Sequence, residues 1–117
     1  MKELLYSYSA FNYWANEKML SVITENVSEQ QLDATVVSSF DTIRKTIYHI
    51  WDAENIWWRR WNNVPIDGWP SKNFSGDIHA CKNALLENSK TLSDFINSAS
   101  EEKLHERFHF RLMNGTE

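Results

Sequence analysis

Residues 40–54, which read FDTIRKTIYHIWDAE, decide the fold. Their isoleucines recur at three- and four-residue steps, the spacing of one face of an α-helix, and Trp57 and Trp61 continue the stripe. We therefore predict a helix over residues 42–62. An adjoining flank carries a single histidine, His49, and the two flanks together would bury more than half of the helix circumference.

The same periodicity continues on both sides of this segment. We predict an amphipathic first helix over residues 2–26 and a third helix over residues 75–98. Ser28 and Gln31 form a capping-box pattern that predicts a short helical turn, and Ser100 begins a similar turn near the end of the chain.

Two stretches between the helices lack helical periodicity. Residues 33–40 are β-branched or small and polar, which favours a crossing loop, and Ser39 or Asp41 is expected to cap the helix that follows. The loop after that helix, residues 62–70, contains both prolines of the chain.

The last eleven residues change their period. Phe108, Phe110 and Leu112 alternate with polar residues, and Asn114-Gly115 follows, which predicts a strand entering a type I′ hairpin turn. The return strand would lie after Glu117. We therefore expect this sequence to be the N-terminal part, or the ordered part, of a longer protein, with a natural three-helix protein that has a frayed tail as the alternative.

Composition favours one all-α domain over residues 1–117, incomplete at its C-terminus. A chain of 117 residues can bury one core but not two. Six Trp, six Phe and four Tyr against three Gly and two Pro favour helices over a turn-rich β architecture.

Charge and cysteine content exclude several classes of partner. A formal net charge of −4 leaves no basic surface for nucleic acid. No apolar run approaches the roughly 20 residues needed to span a bilayer, so we expect no membrane segment. Cys81 is the only cysteine, which excludes an intrachain disulfide, and the simplest location is the cytoplasm.

His49 admits two interpretations from its surroundings. An imidazole in an apolar helix is either a hydrogen-bonded core residue or a metal ligand. Three or four residues away lie only Lys45, Thr46, Asp52 and Ala53. This spacing favours a core histidine bonded to a tyrosine hydroxyl or a backbone carbonyl, with metal coordination as the alternative. Asp52 fits a surface carboxylate, a weak ligand or an acceptor behind a ligand.

Other polar residues have simpler interpretations. Glu54 is expected to form an ion pair with an arginine, and the candidates are Arg44, Arg59 and Arg60. Asn12 and Asn16, four residues apart on the first helix, are expected to make hydrogen bonds between helices, or else to orient a histidine.

Aromatic and sulfur residues are expected to be structural. The group of four tryptophans favours a core or a dimer interface over a ligand-binding site: Trp51, Trp57, Trp58 and Trp61. Cys81 lies on the buried stripe of the third helix and is expected to be an inert thiol. The remaining histidines, His79, His105 and His109, are expected to be solvated.

Two segments resemble one known family. Residues 11–20, FNYWANEKML, resemble the Tyr-Asn-x-Trp-Ala-Asn start of DinB-like proteins. Residues 39–50, SFDTIRKTIYHI, resemble the family's Ser-Phe-x-Ser-Ile-x-x-Thr-Leu-x-His-Ile segment, which Asp52-Ala53-Glu54 and Trp57 continue. The resemblance covers essentially the whole chain, because residues 107–115 look like the strand pair before the family's last helix.

The resemblance implies an up-down-down-up four-helix bundle, of which this chain carries the first three helices and the start of a β-hairpin. It also implies a homodimer and a divalent transition metal, nickel or zinc, held by three histidines. His49 matches the ligand on the second helix. The other two form a His-x-x-x-His pair on the last helix, expected beyond residue 117. A chain ending at Glu117 would lack that pair, and neither His105 nor His109 lies where the family has ligands.

Relatives of this kind imply a function. The first hypothesis is a metal-dependent S-transferase that joins a low-molecular-weight thiol to an electrophile in stress or detoxification. Asn12, Asn16 and Tyr48 would then shape the pocket, whereas no catalytic residue and no further cofactor site can be named. The alternative is a non-catalytic, dimeric, stress-associated bundle whose metal site is vestigial or structural.

Overall fold

A computed structural model describes residues 1–106. This part of the chain is helical and contains no strand. It forms α1 (Lys2–Asn26), α2 (Glu29–Leu32), α3 (Ile43–Trp61), α4 (Ile78–Ser98) and α5 (Glu101–His105). The all-α prediction and the three long helices are therefore confirmed for these residues. The predicted strand and hairpin turn, over residues 107–115, lie outside the described residues.

The core lies where the three long helices meet. α1 packs along α4, and α3 packs against α4 less extensively. The buried cluster consists of Leu20 from α1, Leu32 from α2, Ile47 and Trp51 from α3, and Ile78, Cys81 and Leu85 from α4. Within residues 1–106, no helix is long and apolar enough to cross a bilayer.

Helix α3 begins one residue after its cap, Thr42. The Thr42 backbone is extended, and its Oγ1 accepts a hydrogen bond from the Lys45 backbone N–H at 3.0 Å. The predicted caps, Ser39 and Asp41, were therefore wrong. Asp41 instead forms an ion pair with the Lys45 ammonium at 2.8 Å.

The other helix starts also depend on capping side chains. Helix α4 begins at Ile78, later than predicted, because Asp77 Oδ1 accepts from the Ala80 backbone N–H at 2.9 Å. The capping box of Ser28 and Gln31 is confirmed, with both of its hydrogen bonds formed. Ser100 caps α5, as predicted.

Helix α1 leaves part of its apolar surface exposed. Ser9, Asn16 and Leu20 are buried. Four large side chains on another side of the helix are exposed, and we name them the α1 stripe: Leu4 (53%), Tyr8 (64%), Phe11 (62%) and Val22 (59%). At 100° per residue these four side chains lie on one side of the helix. No other helix of the described part covers the α1 stripe.

Candidate functional site

His49 is exposed on α3 and is not a core residue. Its ring stacks on the ring of Phe40, with centroids 4.3 Å apart and planes 26° apart. Neither ring nitrogen makes a hydrogen bond with another described residue. The interpretation of His49 as a hydrogen-bonded core histidine was therefore wrong. Because the ring nitrogens lie in the ring plane, stacking on one face leaves both accessible to a ligand.

His49 lines a shallow pocket of about 400 Å³, which we name the His49 pocket. Its lining includes Phe40, Tyr48, His49, Asp52, Trp69 and Lys72. Helix α3 supplies one side of the pocket, and the loops before and after α3 supply the rest. Of the residues expected to shape a pocket, Tyr48 is found here, and Asn12 and Asn16 are not.

Asp52 ties the second of these loops to α3, one turn after His49. Its Oδ1 accepts a hydrogen bond from the Ser71 backbone N–H at 2.9 Å, and its Oδ2 accepts from Ser71 Oγ at 2.6 Å. Asp52 is therefore not a simple solvated carboxylate, because both of its oxygens accept hydrogen bonds from Ser71. Its contacts place Trp69 and Lys72 beside His49.

Glu54 lies on another side of α3, because five residues correspond to a rotation of about 140° from His49. Its Oε1 accepts a hydrogen bond from Asn12 Nδ2 at 2.9 Å, and its Oε2 accepts from Ser89 Oγ at 3.0 Å. Asn16 Nδ2 donates to the same Ser89 oxygen at 3.1 Å. We name these four residues the Glu54 network.

The Glu54 network joins α1, α3 and α4 through hydrogen bonds. Burial raises the pKa of the half-buried Glu54 carboxyl, and the hydrogen bonds from Ser89 and Asn12 oppose that shift. The expected hydrogen bonding of Asn12 and Asn16 between helices is confirmed.

The predicted ion pair of Glu54 with an arginine was wrong. Arg44 pairs with Glu29 and Asp33, and Arg59 pairs with Asp67. Arg60 lies over the Trp57 ring, with 4.7 Å from its Cζ to the ring centroid.

Ser89 is a residue of the Glu54 network that the sequence interpretation missed. It is fully buried, although it is a small polar residue on α4. It lies four residues after Leu85 and so continues the buried stripe of that helix. A serine at a buried helical position was the available signal, since such a hydroxyl needs a partner.

The remaining candidates have structural or surface positions. Cys81 is fully buried, and burial raises the pKa of its thiol to about 11, which fits the inert thiol that was predicted. His79 and His105 are exposed, whereas His109 lies outside the described residues. Trp51 belongs to the core, but Trp57 is 47% exposed.

The described residues do not form a complete metal site. Within residues 1–106, no three His, Cys, Asp or Glu side chains converge in a way that could hold a metal ion. His49 has the accessibility that one ligand of such a site needs. The residues present therefore fit one ligand of a metal centre but not the whole centre.

Fold and site together define a helical protein with a single accessible imidazole in a pocket on its second long helix and a buried polar network between its three long helices. The family model of the DinB superfamily matches residues 13–117, and the chain belongs to that superfamily. The match includes residues 39–50, the segment that carries His49. Neither the curated proteins nor the solved structures contain a significant match to this chain.

Proposed function

We propose that this protein is a DinB-like divalent-metal-binding protein and a metal-dependent thiol S-transferase, acting in the cytoplasm in stress or detoxification. The observation that carries this proposal is the position of His49. Its imidazole is exposed, stacks on Phe40 and lines a pocket in a chain of the DinB superfamily.

His49 is proposed as one of three histidine ligands to nickel or zinc. The other two, a His-x-x-x-His pair, are proposed to follow residue 117. When bound, a metal of this kind lowers the pKa of a coordinated thiol and so presents it as a thiolate at neutral pH. Stacking on Phe40 restricts the orientation of the imidazole, which reduces the entropy lost when the ligand is fixed.

The other residues of the His49 pocket would bind and position substrates. Asp52 holds Ser71, so the loop bearing Trp69 and Lys72 remains against α3. Trp69 adds an apolar surface to the lining of the pocket. Among the described residues, no general base is assigned, and none is needed if the thiol is ionised by the metal.

Removing the imidazole should abolish metal binding. Elemental analysis of the full-length protein should find about one nickel or zinc ion per chain, and His49→Ala should contain almost none, because two histidines alone bind such ions weakly. His79→Ala is the matched control, since His79 is exposed on α4 and lies outside the pocket. Undiminished metal content in His49→Ala would contradict the assignment.

Catalysis is tested separately, with the wild type at its full metal content and His49→Ala as the variant expected to lack the metal. Conjugation of glutathione or bacillithiol to a panel of electrophiles should be accelerated by the wild type and lost in His49→Ala. Normal metal content with no conjugation of any thiol tested would favour the alternative function instead.

The alternative is a non-catalytic, dimeric, stress-associated bundle with a vestigial or structural metal site. The exposed α1 stripe favours an association surface, because contiguous apolar patches of this kind commonly mark protein interfaces. Dimerisation is compatible with either function. We propose that the protein is a homodimer in which the α1 stripe contributes to the interface.

A charge placed on the α1 stripe should weaken this dimer. Sedimentation equilibrium of Phe11→Glu should show at least about a tenfold increase in the dimer dissociation constant, because a carboxylate would have to be buried. Asn97→Glu is the control, since it adds the same charge at an exposed position of α4. An unchanged dissociation constant in Phe11→Glu would remove the α1 stripe from the interface.

A further inference from the structure

The loops on either side of α3 contribute side chains to the His49 pocket that are not proposed as metal ligands. Phe40 comes from the loop before the helix, and Trp69 and Lys72 come from the loop after it. Asp52 holds this second loop in place through two hydrogen bonds to Ser71. The backbone that carries Trp69 and Lys72 is therefore held against α3.

Two lysines, Lys45 and Lys72, line the His49 pocket, although the whole chain is acidic, with a formal net charge of −4. Lys45 lines the pocket and is paired with Asp41. Lys72 also lines it, and its ammonium makes no hydrogen bond or ion pair with another described residue. Among the described residues, the one carboxylate in the lining is Asp52, whose two oxygens accept hydrogen bonds from Ser71 rather than from Lys72. Lys72 thus remains available to an anion.

Aromatic surface at the pocket is also accessible. Trp69 is 40% exposed and Phe40 is 36% exposed. The Phe40 ring stacks on the His49 ring. Flat aromatic side chains that remain exposed at the edge of a pocket bind planar groups well. One free ammonium beside these rings selects for a negative charge on the planar group.

We propose that the His49 pocket binds a small organic anion with a planar unsaturated portion. The planar portion lies against the Trp69 ring, and the carboxylate or sulfonate of the ligand accepts from the Lys72 ammonium. Binding of this anion does not depend on the proposed function. The further step, that the anion is the electrophilic substrate, rests on the proposed S-transferase activity. Lys72 is then a specificity-determining residue.

Naphthalene-2-sulfonate is a suitable probe, with the neutral naphthalene-2-methanol as its matched comparison. Each is titrated into the metal-free protein while the indole N–H resonance of Trp69, assigned through Trp69→Phe, is followed by NMR. The sulfonate should shift this resonance and should bind several-fold more tightly than the alcohol. Lys72→Ala should weaken sulfonate binding about threefold and Lys72→Glu about tenfold, with alcohol binding unchanged.

Lys18→Ala is the control variant, because Lys18 is an exposed lysine of α1 outside the pocket. It removes the same charge from the chain and should leave sulfonate binding unchanged. Equal affinity for the two probes would overturn the proposal, and so would unchanged sulfonate binding in Lys72→Glu. It would also be overturned if the sulfonate shifted other resonances of the protein but not that of Trp69. Because the titration uses no metal, its failure is independent of metal binding at His49, which elemental analysis reports.

Discussion

Glu54→Ala should lower the free energy of unfolding by about 2 to 3 kcal/mol, which is one of the largest losses expected from a single polar residue of this chain. Removing the carboxylate leaves Asn12 Nδ2 and Ser89 Oγ without their acceptor between the helices. Both donors lie between α1, α3 and α4, where water replaces the lost bonds poorly. Urea unfolding followed by circular dichroism measures the change.

Glu54→Gln is the matched variant, because it keeps the side-chain shape and one acceptor oxygen. Its loss should be smaller, about 1 kcal/mol. Equal stability of the wild type and Glu54→Ala would show that the Glu54 network does not stabilise the fold.

The wild type and Glu54→Gln together also test the titration of Glu54. Burial raises the pKa of this carboxyl above its ordinary value of 4.5, so the folded protein binds the proton more tightly than the unfolded chain does. The stabilisation from protonated Glu54 is therefore fully present below its unfolded pKa and is lost as pH rises through its native pKa. The stability of the wild type relative to Glu54→Gln should fall as pH rises from about 4 to 7. A difference that rises with pH would contradict the direction of the shift.

Leu20→Ala should cost about 3 kcal/mol of unfolding free energy. Leu20 is fully buried in the core against α4, so truncation removes apolar contacts and leaves a cavity that the rigid helix pair cannot close completely. Thermal and denaturant unfolding both measure this loss.

Val22→Ala on the same helix is the control. Its cost, measured at protein concentrations below the dimer dissociation constant, should be within about 0.5 kcal/mol because Val22 is 59% exposed in the single chain. The comparison tests which face of α1 is buried. Equal losses in the two variants would show that the α1 stripe is covered as tightly as the core.

Periodicity predicted the helices well because the local signals are strong. The capping box at Ser28 and the turn at Ser100 are local patterns whose hydrogen bonds need only neighbouring residues, and both are formed. The start of α3 was predicted less well, because Ser39, Asp41 and Thr42 lie within four residues and all can accept from a helix N-terminus. The sequence analysis considered the first two, whereas Thr42 accepts the capping hydrogen bond from Lys45.

Burial could not be predicted from periodicity alone in α1. Met19 and Ile23 pack against the core beside the buried Ser9, Asn16 and Leu20, whereas the α1 stripe is exposed in the described part of the chain. A helix with apolar residues on two sides does not specify which side faces its neighbour. The choice depends on polar partners from other helices, such as Ser89, which lies 73 residues from Asn16.

The candidate site was predicted only in part, because the rest of it depends on contacts between residues that are distant in sequence. His49 was recognisable from its neighbours in sequence, whereas its pocket depends on Trp69, Ser71 and Lys72 from a loop about 20 residues away. The Asp52 bonds to Ser71 that place this loop are tertiary contacts. Nothing in the spacing of the sequence indicates them.

Coordination of a divalent metal by His49 is the central claim, and imidazole ¹⁵N NMR of the full-length protein during a zinc titration tests it most directly. One ring nitrogen of His49 should move to the shift of a metal-bound imidazole as zinc reaches about one equivalent, while His79 remains unchanged. Stoichiometric zinc binding that leaves both ring nitrogens of His49 unshifted would contradict the claim.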